Sequence, residues 1–326
     1  MSRPVNPRLT RSWASAAVNL FVVGAFLAAC SSSVSNPSGS TASFPPLALQ
    51  QGTSAIAVTS GSNNLRVLAS GDGIEKPMWL PGHRDLAFLV PNYGLNPPAN
   101  ELWVLDVNTG THWQVTNVYP EQIRYFSIGG PGPTVIYNDL GAIRRFTLAG
   151  LSSHVVPIPT SQPLIFDKNA VGLSISPSGT LFAYADNSSP PALYTASVSG
   201  GSRRLVFQGT DNVCLIDNPA WSPDGNWIAF SMCVEKGTLD AKTNIWLIRP
   251  NGTGLHELLR SPTLSTMANS NPTWSPSGDW IAFEGSPYRL GAGPSGLFRV
   301  HPDGTDFRAI AVVQKHSSTE YSTPAW

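Results

Sequence analysis

Short apolar runs alternate along the chain with clusters of Gly, Pro, Asn, Asp and Ser, a rhythm that predicts short strands joined by tight turns. Two segments are near copies: 218–230 reads NPAWSPDGNWIAF and 271–283 reads NPTWSPSGDWIAF. Weaker copies stand at 76–88 (KPMWLPGHRDLAF), 172–184 (GLSISPSGTLFAY) and, most divergent, 123–137 (IRYFSIGGPGPTVIY). The chain ends in STPAW, the opening of a further copy. Trp79, Phe126, Ile175, Trp221, Trp274 and Trp326 thus mark one position in a repeat of about fifty residues, a period typical of solenoids and propellers.

Each part of the motif has a mechanical reason. Ser-Pro-Asp-Gly suits a tight turn, with Pro pre-set at its second position and Gly at its last. The Trp-Ile-Ala-Phe run that follows is apolar on both faces, so it needs cover on both sides. Pro219 and Pro272 lie in the strand before the turn, and a strand lacking that N–H belongs at a sheet edge. A second apolar run follows, as in Glu101–Leu105 and Asn244–Ile248, then a polar turn such as Pro250-Asn251-Gly252 or Pro302-Asp303-Gly304, then a last strand such as Leu255–Leu259. The unit is four strands.

The two ends of the chain complete each other. The final copy stops after its first strand. Residues 54–68 align without a gap on 244–258, supplying third and fourth strands, and 46–50 supply the second. The expected fold is therefore all-β: a six-bladed β-propeller of four-stranded blades, closed by pairing the C-terminal strand with N-terminal strands. An open solenoid and a seven-bladed ring are the alternatives.

Composition narrows the function classes. Lys plus Arg equals Asp plus Glu at 20 each, and only 12% of residues are charged. That excludes the basic face of a nucleic-acid binder and the charge density of a disordered chain. At 41% hydrophobic, the chain has ample material for a core.

Arg3, Arg8 and Arg11 precede an apolar stretch from Ala14 to Ala29, and the first acidic residue is Asp72. This is the layout of an export signal, and the stretch is shorter than the about 20 residues of a spanning helix. It ends Leu27-Ala28-Ala29-Cys30, which resembles the lipobox of bacterial lipoproteins. That resemblance implies removal of residues 1–29 and acylation of Cys30, which anchors the chain to the lipid bilayer on the periplasmic face or the cell surface. A plain signal peptide with an incidental Cys and a retained anchor are the alternatives. Residues 30–45, rich in Ser with Pro37 and Pro45 and free of charge, read as a tether of at most roughly 45 Å. The propeller occupies 46–326.

The repeated P-x-W-S-P-[DS]-G-x-x-[IL]-A-F resembles the WD40-like repeat of TolB-type propellers, over residues 46–326. TolB carries a separate α/β domain before its propeller, where this chain has only a tether. In that family's topology the turns after first and third strands face one side of the ring, and the connections after second and fourth strands face the other, which binds partners. The resemblance therefore points to the loops carrying Tyr93, Tyr119, Glu121, Asp186, Asp211, Glu235, Lys236, Asp240, Tyr288, Arg289, His316, Glu320 and Tyr321 as the binding face. Ordinary solvated loops are the bland reading of any one of them. The recurring Trp residues read as blade core.

Cys214 and Cys233 stand ten residues before and nine after Asp224, at the turn of one hairpin, so they fall nearly opposite each other and a disulfide is expected in an oxidising compartment. Two separate buried thiols are the alternative. The histidines scatter over turns and outer strands, so no metal site is expected. The chain has no G-x-S-x-G elbow, no phosphate-binding or dinucleotide Gly pattern and no Cys-x-x-Cys, so no catalytic residue and no cofactor is assigned. The expectation is a monomeric, membrane-tethered, extracytoplasmic scaffold that binds a protein or peptide partner through its loop face. The alternative is a carbohydrate-active propeller of lyase or glycoside hydrolase type, using a pair such as Glu235 with Glu320. Buried, convergent ionisable groups at the channel mouth would favour the enzyme; scattered, solvated carboxylates would favour the scaffold.

Overall fold

The computed structural model describes residues 46–52, 54–60, 65–94, 99–116, 123–130, 132–139, 141–148, 163–235, 237, 242–259, 267–287, 295–313 and 321–326. The leader, Cys30 and the tether lie outside them. Among the described residues, six antiparallel sheets of four strands form, and no helix is long and apolar enough to cross a membrane.

Blade one comprises β4 (Glu75–Trp79), β5 (Asp85–Asn92), β6 (Ala99–Asp106) and β7 (His112–Gln114). Blade two is β8 (Tyr125–Gly129), β9 (Thr134–Asp139), β10 (Ala142–Thr147) and β11 (Ile165–Phe166); blade three is β12 (Ala170–Ile175), β13 (Leu181–Asp186), β14 (Ala192–Ser197) and β15 (Arg204–Gln208). Blade four is β16 (Val213–Trp221), β17 (Ile228–Val234), β18 (Lys242–Ile248) and β19 (His256–Glu257); blade five is β20 (Met267–Trp274), β21 (Ile281–Pro287), β22 (Ser295–Val300) and β23 (Arg308–Val313). Blade six joins the termini in the order β24 (Tyr321–Ala325), β1 (Leu47–Gln51), β2 (Ala55–Thr59) and β3 (Arg66–Ser70). Ala48 pairs with Ala325 and Gln51 with Tyr321, so the closing strand is supplied by the tail as the repeat requires.

The core lies between blades. Six apolar clusters each bridge two neighbours, for example Leu89 and Leu102 of blade one with Phe126 and Tyr137 of blade two. Leu47 and Leu49 of blade six likewise meet Leu297 and Ile310 of blade five. The marker residues Trp79, Phe126, Ile175, Trp221 and Trp274 are all buried. Full burial of one large apolar side chain stabilises by about 1.5–3 kcal/mol, so each blade depends on its neighbours. Trp274 Nε1 adds a bond to the Ala220 carbonyl of the preceding blade at 3.1 Å.

The first strand of each blade is a sheet edge, and its free N–H groups are satisfied across blades. Trp221 N–H donates to Ser174 Oγ at 3.0 Å, Ile175 N–H to Ser127 Oγ at 3.0 Å and Trp326 N–H to Thr273 Oγ1 at 3.4 Å. These same strands carry a feature the pattern does not predict. Lys76, Asn218, Asn271 and Thr323, each followed by Pro, adopt positive φ, as does Gly172, and the ladder shifts register there. A bulge of this kind bends the strand. Asn218 Nδ2 donates to Asn271 Oδ1 of the next blade, so the bulges of blades four and five meet.

The Ser-Pro-Asp-Gly turn forms as its residues dictate. Gly225, at φ 72°, donates its N–H to the Ser222 carbonyl, and the Ser222 hydroxyl accepts from Trp227 N–H at 2.9 Å. Ser275, Gly278 and Trp280 repeat the arrangement.

Candidate functional site

Antiparallel strands place the connections after second and fourth strands at one end of the ring. There, blades one, two and three enclose a cavity of about 370 Å³. Glu75 and Lys76 enter it from the start of β4, Arg124 and Tyr125 from the start of β8, and Asn138 and Asp139 from the end of β9. Asn100 and Lys168 complete its polar wall.

Lys76 is the pivot. Its bulge turns it inward: Nζ donates to the Arg124 carbonyl and lies 4.1 Å over the Tyr125 ring. Burial lowers its pKa from the ordinary lysine value, and the carboxylates of Glu75 and Asp217 oppose that shift. Asp217, on β16, is pushed up by burial, against the pull of the Asn218 N–H bond and of Lys76. Tyr125 is also raised, chiefly by burial and then by the Asp217 charge. Lys76, Tyr125 and Asp217, from three blades, thus share one poorly solvated region, on which the charges of Glu75 and Arg124 also act.

The remaining wall sorts by partner. Asp139 is engaged by Arg144 Nε at 2.5 Å. Glu75 Oε1 accepts from Asn100 Nδ2 at 3.3 Å. Arg124 and Lys168 are exposed and meet no carboxylate among the described residues. Asn138 is 5% exposed; its Nδ2 donates to the Ala170 carbonyl at 2.6 Å, while its Oδ1 is buried with no hydrogen-bond partner among the described residues.

The residues expected from the sequence fall around this mouth in several ways. Tyr93, between β5 and β6, is 62% exposed. Asp211 is exposed between β15 and β16, and Glu235 is half-buried at positive φ just after β17. Asp186 is buried, with Arg203 at 3.5 Å; the same guanidinium reaches Asp167 at 2.6 Å and the Tyr184 hydroxyl at 3.2 Å and stacks over Tyr194. That cluster ties the blade two–three connection to blade three. Tyr321 opens β24 with its backbone paired to Gln51. Tyr119, Glu121, Lys236, Asp240, Tyr288, Arg289, His316 and Glu320 lie outside the described residues.

Cys214 and Cys233 form the expected disulfide, with Cα atoms 5.2 Å apart, at the same end of blade four. Cys214 falls at a register shift, between Val213 and Leu215, beside its partner. His83, His112, His256 and His301 pack against Trp79, Trp103, Trp227 and Trp280. Among the described residues, no three His, Cys, Asp or Glu side chains converge as a metal site.

Sequence reasoning passes over Lys76, Arg124, Tyr125 and Asn138, and reaches Asp217 only as a member of the 208–217 loop. Lys76 sits inside the repeat and reads as part of its strand, while the structure places Asp217 within β16 and not in a loop. The available signal is the residue before Pro in the marker strand: a bulge there puts a long side chain at the channel.

No protein-family profile matches the chain. It is 28% identical over 181 residues to the uncharacterized protein Atu1656 of Agrobacterium fabrum, which is 55% of this chain and 55% of that protein, so the match spans about half of the relative's length. Among solved structures, a provisional TolB from Agrobacterium tumefaciens superposes with a TM-score of 0.61 at 17% identity, over 84% of this chain and 92% of that one. A chain of a nidogen–laminin complex gives 0.60 at 10% identity, over 86% and 97%. An oligogalacturonate lyase from Vibrio parahaemolyticus gives 0.52 at 12%, over 82% and 73%. These likenesses establish a TolB-like six-bladed β-propeller fold.

Proposed function

We propose that this chain is a recognition scaffold of the bacterial cell envelope, exported, anchored through acylated Cys30, and docking a protein or peptide partner on the end of the ring where the cavity opens. One observation carries the reading: this end of the ring presents solvated groups from separate blades, Arg124 and Lys168 on the open cavity with Tyr93 and Asp211 exposed around it. A rigid ring bearing such a mouth suits recognition. The leader and the lipobox resemblance support the address, and the propeller of the nidogen–laminin complex is a precedent for this fold in a protein assembly.

The test is photo-crosslinking in native envelopes from Tyr93 on the mouth and from Asn251 on the opposite end, read by mass spectrometry. One partner captured from Tyr93, absent from Asn251, and lost when charges across 232–243 and 312–321 are reversed supports docking on this face. Capture indifferent to position or charge refutes it. Labelling by fatty acid that disappears in Cys30→Ala tests the anchor.

The carbohydrate-active alternative is favoured by one observation, the convergence of Lys76, Tyr125 and Asp217 with pKa values moved from their ordinary ones. Release of an unsaturated, ultraviolet-absorbing product from oligouronides, lost in Lys76→Met, would select it.

A further inference from the structure

The described charged groups in and beside the cavity leave one positive charge in excess: Lys76, Arg124, Arg144 and Lys168 against Glu75, Asp139 and Asp217. Asp139 is held by Arg144, and Glu75 and Asp217 face Lys76. Arg124 and Lys168 are left on the same wall, without a carboxylate among the described residues. The cavity, about 370 Å³, has the size of a small-ligand pocket.

We infer that this cavity binds the carboxylates of an acidic peptide segment, held between Arg124 and Lys168. The inference rests on the recognition reading above and gives it a ligand chemistry. Guanidinium and ammonium groups suit a carboxylate because charge-assisted bonds are the strong ones. The peptide is favoured over other anions by the recognition reading above, which gives this mouth a protein or peptide partner, and an acidic segment presents several side-chain carboxylates in succession to two neighbouring cations.

The experiment is calorimetric titration of the purified full chain with three probes: triglutamate, triglutamine amide and trigalacturonate. Triglutamate binds, triglutamine amide does not, and trigalacturonate is weaker than triglutamate. Arg124→Gln with Lys168→Gln lowers triglutamate affinity about tenfold, the sum of two exposed ion pairs. Arg124→Lys with Lys168→Arg restores it, and an unchanged near-ultraviolet tryptophan signal shows that both variants fold. Three results overturn the inference: equal binding of triglutamate and triglutamine amide, no loss in the Gln variant, or trigalacturonate binding more tightly, which would make the occupant an acidic sugar. Failure here is separable from failure of the scaffold reading. A crosslinked partner that excess triglutamate leaves in place would sink this inference and keep the scaffold. Triglutamate binding with no partner captured would do the reverse.

Discussion

Gly172 offers the sharpest test of how the ring is packed. It sits at φ +58°, and a β-carbon there would lie 2.7 Å from Asn218 N, 2.8 Å from Pro219 Cδ and 2.9 Å from Asn218 Cα. Left-handed backbone costs an alanine about 1–2 kcal/mol. The contacts add a second penalty, because the atoms met belong to the backbone and proline ring of β16, and relieving them means moving one blade from its neighbour. Overpacking of that kind costs about 1–3 kcal/mol. Gly172→Ala is therefore expected to destabilise by about 2–5 kcal/mol. Gly110 is the control: its φ is +70° and a β-carbon there meets nothing within 4 Å, so Gly110→Ala carries the conformational penalty alone. Lys76, Asn218, Asn271 and Thr323 hold positive φ with full side chains, so backbone strain does not by itself demand glycine at this position. Urea unfolding of the oxidised protein, followed by tryptophan fluorescence and circular dichroism, measures both variants. If Gly172→Ala is no more destabilising than Gly110→Ala at unchanged m, blades three and four are not in contact there and the ring is not packed as described.

Other outcomes follow from the same structure. Cys214→Ser with Cys233→Ser opens a loop with a sequence separation of 19 and should lower unfolding free energy by about 3 kcal/mol in denaturant titrations; an unchanged midpoint would show that the bridge constrains nothing. Deleting Tyr321–Trp326 exposes the edge of β1, and light scattering on a sizing column should show self-association together with an earlier urea midpoint; a stable monomer would contradict closure by β24. Asp224 is held below its ordinary pKa, first by the Ser222 hydroxyl and then by Asn226 N–H. A depressed folded pKa means that its stabilisation is complete above the unfolded value of about 3.9 and is lost as pH falls through the folded one. The stability gap between the native chain and Asp224→Ala should thus narrow below about pH 4, and a gap constant with pH in acid denaturation curves would exclude this role.

The blade plan was legible because it is written in local terms. A turn tetrapeptide, a two-faced apolar strand and a marker aromatic recur often enough that divergence at 123–137 does not hide the period. Even the seam was readable, since one strand at the tail and three at the head add up to one four-stranded blade. The disulfide followed from counting along a hairpin. The expected site residues were legible only as loop membership, which says which end of the ring a side chain occupies and not what it touches. Asp186 shows the difference: it has the right address, yet Arg203 holds it as part of the blade packing.

The amino-acid sequence alone determined the repeat, the number of blades and the strand that closes them, because backbone hydrogen bonding and apolar burial depend on neighbours a few residues apart and on one period. Only the tertiary structure decided which charges share a cavity. Lys76, Arg124, Asp139 and Lys168 come from separate parts of the ring, and their encounter depends on the packing of blade against blade and on a bulge that turns a strand residue into the cavity. Those are properties of the closed ring, and no segment of the chain carries them by itself.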